Sequence, residues 1–502
     1  MSGVVAFCMN ACSQTVVDEG GVIFPKTNGS EEKQNAEENV KNCSSAPTGI
    51  PEYENLGLKF DVNGFCIPHS SVLITDEGVK DIADAGLTAI IIDPWGGFTY
   101  ETEAGLEKMD KLFRLLEKYG LEGYVSTNNG YEVRGNGAQF GGDYHWHSIA
   151  DINYDFTQYP AFKGIMAFDE PGGSFGNTAN EETNDFAFLE REFEIWKGKW
   201  EDPDGDGPEE AVFKNGKYTD YRFFVNGCGD KLNVLDPLVE RIYPMLAEDG
   251  ESEVIVSVDV YPFKYDQTSQ KASINESYLY NFEMFADYAR EHGYPFWNYI
   301  ETTDIFNTGR TPDDMLGEEE MLFQIGSMFA YGAKGIGLFT YATAGTMKGL
   351  VDSNNVKYDS YFYVQKTLSE VHEFANVYLN FDYLGYSTLV GTKNVLGYCD
   401  AFDLLEHNDY SSDRIRKISA TRDTLLGCFK DKNGYDGYII QNYHDPYYRK
   451  SDDVSITFNN ATKAVVYSFE NGALKREVKT LTDGTLDLRI TFGKFVFVIP
   501  VV

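Results

Sequence analysis

The residues best placed for chemistry are two carboxylates that close a short apolar run, Gly164-Ile165-Met166-Ala167-Phe168-Asp169-Glu170-Pro171. An apolar run of this length bounded by breakers reads as a buried parallel strand. Pro171 has no N–H to donate and stops the strand there. A similar run, Trp297-Asn298-Tyr299-Ile300-Glu301, also ends on an acid. Two carboxyl groups in different environments can cleave a glycosidic bond. One, kept protonated, donates to the leaving oxygen, while the other attacks the anomeric carbon or activates water. Glu170 and Glu301 are the candidates for these roles. A retaining mechanism needs them across one pocket, at about 5–5.5 Å.

Such a pair must be held by elements that end on one face. Strands are expected at 64–68, 88–95, 121–127, 164–169, 221–226, 254–259, 296–301 and 335–341, with helical periodicity between most of them. Thr75 is a helix N-cap signal and Gly120 a C-cap signal. Strand-then-helix alternation repeated eight times predicts an α/β fold, a (β/α)8 TIM barrel over residues 56–382, with catalytic groups where strands end. A doubly wound open sheet fits less well, because no Gly-rich phosphate loop follows any strand. Beyond it the spacing changes to short alternating runs, with Asn471-Gly472 and Asp483-Gly484 as turn signals, and residues 383–502 read as an all-β sandwich.

Phe168-Asp169-Glu170-Pro171 resembles the strand-four motif of clan A glycoside hydrolases, where the acid/base often stands in Asn-Glu-Pro. The resemblance implies a barrel enzyme with Glu170 as acid/base and Glu301, closing strand seven, as nucleophile. It also implies a sandwich behind the barrel and no cofactor for catalysis. Asp169 departs from the pattern. An ionised Asp only accepts hydrogen bonds, and its charge beside Glu170 would help keep Glu170 protonated. A rival pairing follows, with Asp169 and Asp259 acting as in α-glycosidase barrels that use Asp residues at strand ends four and six. A barrel that binds sugar without turning it over is a further alternative.

Other strand-end residues suit a sugar pocket, which wants aromatic faces and polar groups. They are Asp93, Trp95, Asn128, Asn129, Asn226, Tyr261, Trp297, Tyr299 and Tyr341. Asp202, Asp204 and Asp206 alternate as in the first half of a calcium loop, so a structural Ca²⁺ is a candidate ligand there.

The formal charge of −37 opposes nucleic acid and anionic membranes as partners and suits a carbohydrate. The seven Cys show no zinc spacing and no disulfide framework. Residues 1–12 resemble the end of a truncated lipoprotein signal, with Cys12 as the lipidated residue. Residues 13–55 have the composition of a disordered tether. Export to a bacterial cell surface, or beyond it, is the expectation.

Overall fold

The computed structural model describes residues 47–53, 60–93, 97–98, 102–126, 154–171, 185–196, 221–229, 234–247, 254–266, 268–303, 305, 316–345, 347–393, 401–406 and 410–502. Trp95, Asn128, Asn129, the Asp202–Asp204–Asp206 run and Cys12 lie outside these residues.

Eight parallel strands close into a barrel. They are β1 (Asp61–Gly64), β2 (Ala89–Ile92), β3 (Glu122–Ser126), β4 (Phe162–Asp169), β5 (Arg222–Cys228), β6 (Val256–Asp259), β9 (Phe296–Glu301) and β10 (Gly335–Phe339). Around the barrel each strand neighbours its sequence successor, and β10 closes onto β1. A hairpin, β7 (Phe263–Asp266) with β8 (Lys271–Ile274), interrupts the alternation.

Side chains alternate between two cores, as a closed sheet requires. Ile91, Tyr124, Met166, Phe224, Trp297 and Tyr299 fill the barrel interior. Ile90, Ile165, Val225, Val258 and Ile300 face the helices. Low in the interior Arg222 bonds Asp61 at 3.2 Å and the Tyr124 hydroxyl at 2.7 Å. Its guanidinium lies 5.5 Å from the Trp297 ring centroid. This end is therefore plugged.

Local signals account for the helices. Thr75 Oγ1 accepts from Gly78 N at 2.9 Å and caps Asp76–Asp84. Gly120, at φ +68°, takes the left-handed conformation that ends Glu103–Tyr119. The first strand is shifted from its expected place at 64–68. Cys66 has φ +52°, which bends the chain out of the sheet before Pro68.

The C-terminal part is two antiparallel sheets. One has six strands in the order β11 (Phe381–Leu389), β13 (Thr424–Asp431), β14 (Asp436–Asn442), β19 (Phe495–Val501), β16 (Lys463–Glu470) and β17 (Ala473–Thr480). The other has β12 (Ile415–Ala420), β15 (Asp452–Phe458) and β18 (Thr485–Ile490). Ile440, Ile456, Leu488 and Val498 pack between them. The outer face of the larger sheet packs on helices Glu318–Ala330 and Asp359–Tyr378, with Phe374 to Phe497 at 5.5 Å and Phe329 to Phe495 at 5.7 Å. Gly427 permits this approach, because a Cβ there would lie 2.3 Å from the Ala330 carbonyl oxygen.

Candidate active site

Three acids meet where β4 and β6 leave the barrel. Asp169 ends β4, in register with Asn226 of β5. Asn226 Nδ2 donates to Asp169 Oδ1 at 2.9 Å, and Ser257 Oγ of β6 donates to Asn226 Oδ1 at 2.7 Å. The serine fixes which way the amide points, so the amide N–H is aimed at the carboxylate.

Glu170 follows with φ +53°, in the left-handed region that side chains with a Cβ avoid. A conformation of this kind costs of order 1–3 kcal/mol and persists only where neighbours hold it. Here Glu170 N donates to Asn226 O at 2.8 Å. A bulge between Met166 and Phe168 shifts the β4–β5 register just before this point. The Glu170 carboxyl is then hydrogen-bonded to Asp259, which ends β6.

Electrostatics separates the three acids. Burial pushes Glu170 up to about 8, with the Asp169 charge adding to the rise and the Asp259 hydrogen bond opposing it. Burial also lifts Asp169, but only to about 6, because the Asn226 amide stabilises its charge. Asp259 is raised by burial and then by the charges of Glu170 and Asp169. At neutral pH Asp169 is the ionised member, and the Glu170–Asp259 pair retains a proton.

The surrounding mouth is polar and aromatic. Tyr299 faces Asp169 and Asp259, and with burial they raise its hydroxyl. Cys66 is pushed up to about 12 by burial, its thiol bonded to Thr340 and facing Asp93 and Asp169. Tyr261 lies 6.1 Å from Phe339, ring centroid to centroid. Tyr299 Oη and Asp259 Oδ1 are buried without a hydrogen-bond partner among the described residues. Orphaned polar atoms of this kind are costly unless a ligand group satisfies them.

Of the residues expected from sequence, Asp93, Asp169, Glu170, Asp259, Tyr261 and Tyr299 gather at this mouth. Trp297 does not, because it pairs in register with Gly335 at the start of β10 and sits in the barrel plug beside Arg222. Tyr341 is fully buried on the helical side, with Tyr361, Asp81 and Asp84 as its electrostatic neighbours. Its expected place in a sugar pocket is corrected accordingly. Glu301 ends β9 and is buried. Its N–H donates to Gln324 Oε1 at 2.9 Å and its carbonyl accepts from Gln324 Nε2 at 3.0 Å. Its charge acts on Tyr278 of the helix Tyr278–His292. Ser257 and Cys66 were not singled out in the sequence. Ser257 stands two residues before Asp259 and so shares its face, a signal that strand period carries.

No protein-family model and no curated protein sequence matches the chain. Solved structures similar to it include a GH30 endoxylanase from Clostridium papyrosolvens C71, with a TM-score of 0.43 and 11% identity over 91% of this chain and 98% of that one. An alfa-galactosidase from Saccharomyces cerevisiae gives 0.44 and 11%, over 90% and 100%. A family 5 glycoside hydrolase from Bacteroides vulgatus ATCC 8482 gives 0.43 and 9%, over 88% and 89%.

Proposed function

We propose that this chain is a glycoside hydrolase in which the Glu170–Asp259 pair supplies the proton and Asp169 is the ionised carboxylate that opposes it. The observation that carries this is the hydrogen-bonded pair of Glu170 and Asp259 beside a third acid, Asp169, whose charge the Asn226 amide holds at 2.9 Å. Glycosidic cleavage asks for that asymmetry, a held proton at the leaving oxygen and a negative charge near the anomeric carbon. Glu170 and Asp259 are buried and Asp169 is partly so, which strengthens its pull on a developing oxocarbenium ion. Asn226 and Ser257 hold that charge in place, and Tyr299 Oη and Asp259 Oδ1 await sugar hydroxyls. Carboxyl chemistry of this type uses no cofactor.

A second assignment keeps Glu170 as acid/base and makes Glu301 the nucleophile of a retaining reaction. It is favoured by the end-of-strand position of Glu301 and by the Gln324 clamp on its backbone. Asp169→Asn, Asp259→Asn and Glu301→Gln, each assayed on a panel of aryl glycosides, separate the two. The first assignment expects the Asp variants to lose turnover and Glu301→Gln to retain most of it. Covalent labelling of Glu301 by a 2-fluoro glycoside would establish the second. A wild-type protein that binds sugars and cleaves none of the panel would contradict both.

A further inference from the structure

We propose that Tyr265 and Tyr447 form a saccharide-stacking platform beside the barrel mouth, built jointly by the barrel and the sandwich and fitted to a neutral polysaccharide. This rests on the glycoside-hydrolase reading and extends it to a substrate class. The β7–β8 hairpin leaves β6 directly after the catalytic edge. Tyr265 stands six residues past Asp259, so their Cα atoms lie within about 20 Å of each other.

The hairpin is anchored from both sides. Phe263 packs on Phe323 at 5.7 Å, and Phe323 meets Tyr443 of the sandwich at 5.1 Å. Tyr448 Oη donates to the Ala272 carbonyl at 2.7 Å, tying the sandwich loop to β8. These contacts fasten the two parts together. Tyr447 adds an aromatic ring left 42% exposed, 6.3 Å from Tyr265 and 5.3 Å from Tyr448. Its backbone is fixed as well, since Asp445 Oδ1 accepts from Tyr447 N at 3.0 Å and Pro446 opens the turn.

The rings are tilted 60° to each other, with Tyr447 exposed and Tyr265 half-buried, so each offers its own apolar face with a polar edge, which suits the C–H faces and hydroxyls of successive sugar rings along a twisted chain. Lys264 and Asp266 alternate with Tyr265 and take the other face of β7, where Lys264 pairs with Glu276 at 3.2 Å and Asp266 caps the hairpin turn through Thr268 and Ser269. The charge of −37 argues against an anionic polymer. A glycan long enough to reach from the carboxyl cluster to Tyr447 would gain affinity there, whereas a short aryl glycoside would not.

The test is electrophoresis of the full chain through native gels containing xylan, galactomannan or mixed-linkage glucan, with aryl-glycoside turnover measured in parallel. Wild type should be retarded by at least one polymer. Tyr447→Ala and Tyr265→Ala should weaken that retardation at least fivefold, with thermal melting and aryl-glycoside turnover unchanged, and Tyr447→Trp should restore it. Glu170→Gln should keep the retardation and lose turnover of alkyl glycosides and oligosaccharides. Absence of turnover with Tyr447-dependent retardation intact would sink the catalytic reading and leave the platform standing. Equal retardation of wild type and both Ala variants, or none for wild type on any polymer, would overturn the platform.

Discussion

The carboxyl groups of Glu170 and Asp259 share a hydrogen bond although they come from strands that are not neighbours. β5 lies between β4 and β6, and its Asn226 bridges the gap. It donates to Asp169 on one side and accepts from Ser257 on the other. One amide therefore ties three strand ends together and selects which acid is ionised.

Loss of any of the three acids should be costly for turnover. Asp169→Asn, Glu170→Gln and Asp259→Asn should each lower kcat by about 10²–10⁴-fold, the range of acid–base catalysis. Steady-state kinetics on an alkyl glycoside or oligosaccharide, whose leaving oxygen needs the proton, with circular dichroism to confirm folding, checks this.

The pH profile of kcat/KM should be bell-shaped. Activity should fall below about pH 6 as Asp169 gains a proton, and above about pH 8 as Glu170 loses one. Asn226→Ala removes the donor that holds Asp169 down. Its acidic limb should move to higher pH while the alkaline limb stays near the wild-type position.

Stability should vary with pH in a definite direction. The folded state keeps a proton on Glu170 up to about pH 8, whereas an unfolded glutamate releases it near the ordinary carboxylate range. The native state thus binds more protons between those values, and stability falls as pH rises through that window. Glu170→Gln carries no such charge. It should melt a few degrees, up to about 5 °C, above wild type at pH 9 and close to it at pH 4.

Gln324→Leu should destabilise without selectively damaging proton transfer. It strands the N–H and C=O of Glu301, both buried, at about 1–3 kcal/mol each. Urea denaturation should show the loss, and the pH limits of activity should not move.

Much of the barrel could be read from the chain because its strands are buried on both faces. Ala89–Ile92 is continuous in apolar residues, Phe296–Glu301 is mostly apolar and buried throughout with Asn298 inside it, and breakers or caps bound both. The β7–β8 hairpin could not be read so directly. Pro262 looks like the end of β6, and Lys264 and Asp266 disguise a strand with one polar face. The acids were visible as strand-end carboxylates, but their partnering was not. It depends on a bulge in β4 and on the positive φ of Glu170, neither of which leaves a periodic trace. Tyr341 and Trp297 misled for a related reason. Aromatics near strand ends serve mouth, plug and outer wall alike, and only the register tells which.

The most direct measurement is the leaving-group dependence of Glu170→Gln. Dinitrophenyl glycosides depart without protonation, whereas alkyl glycosides and oligosaccharides need a general acid. If Glu170 donates the proton, the variant should lose less than about tenfold on the former and about 10³-fold or more on the latter, within the span of acid catalysis. Equal losses on both, or no loss on either, would contradict it.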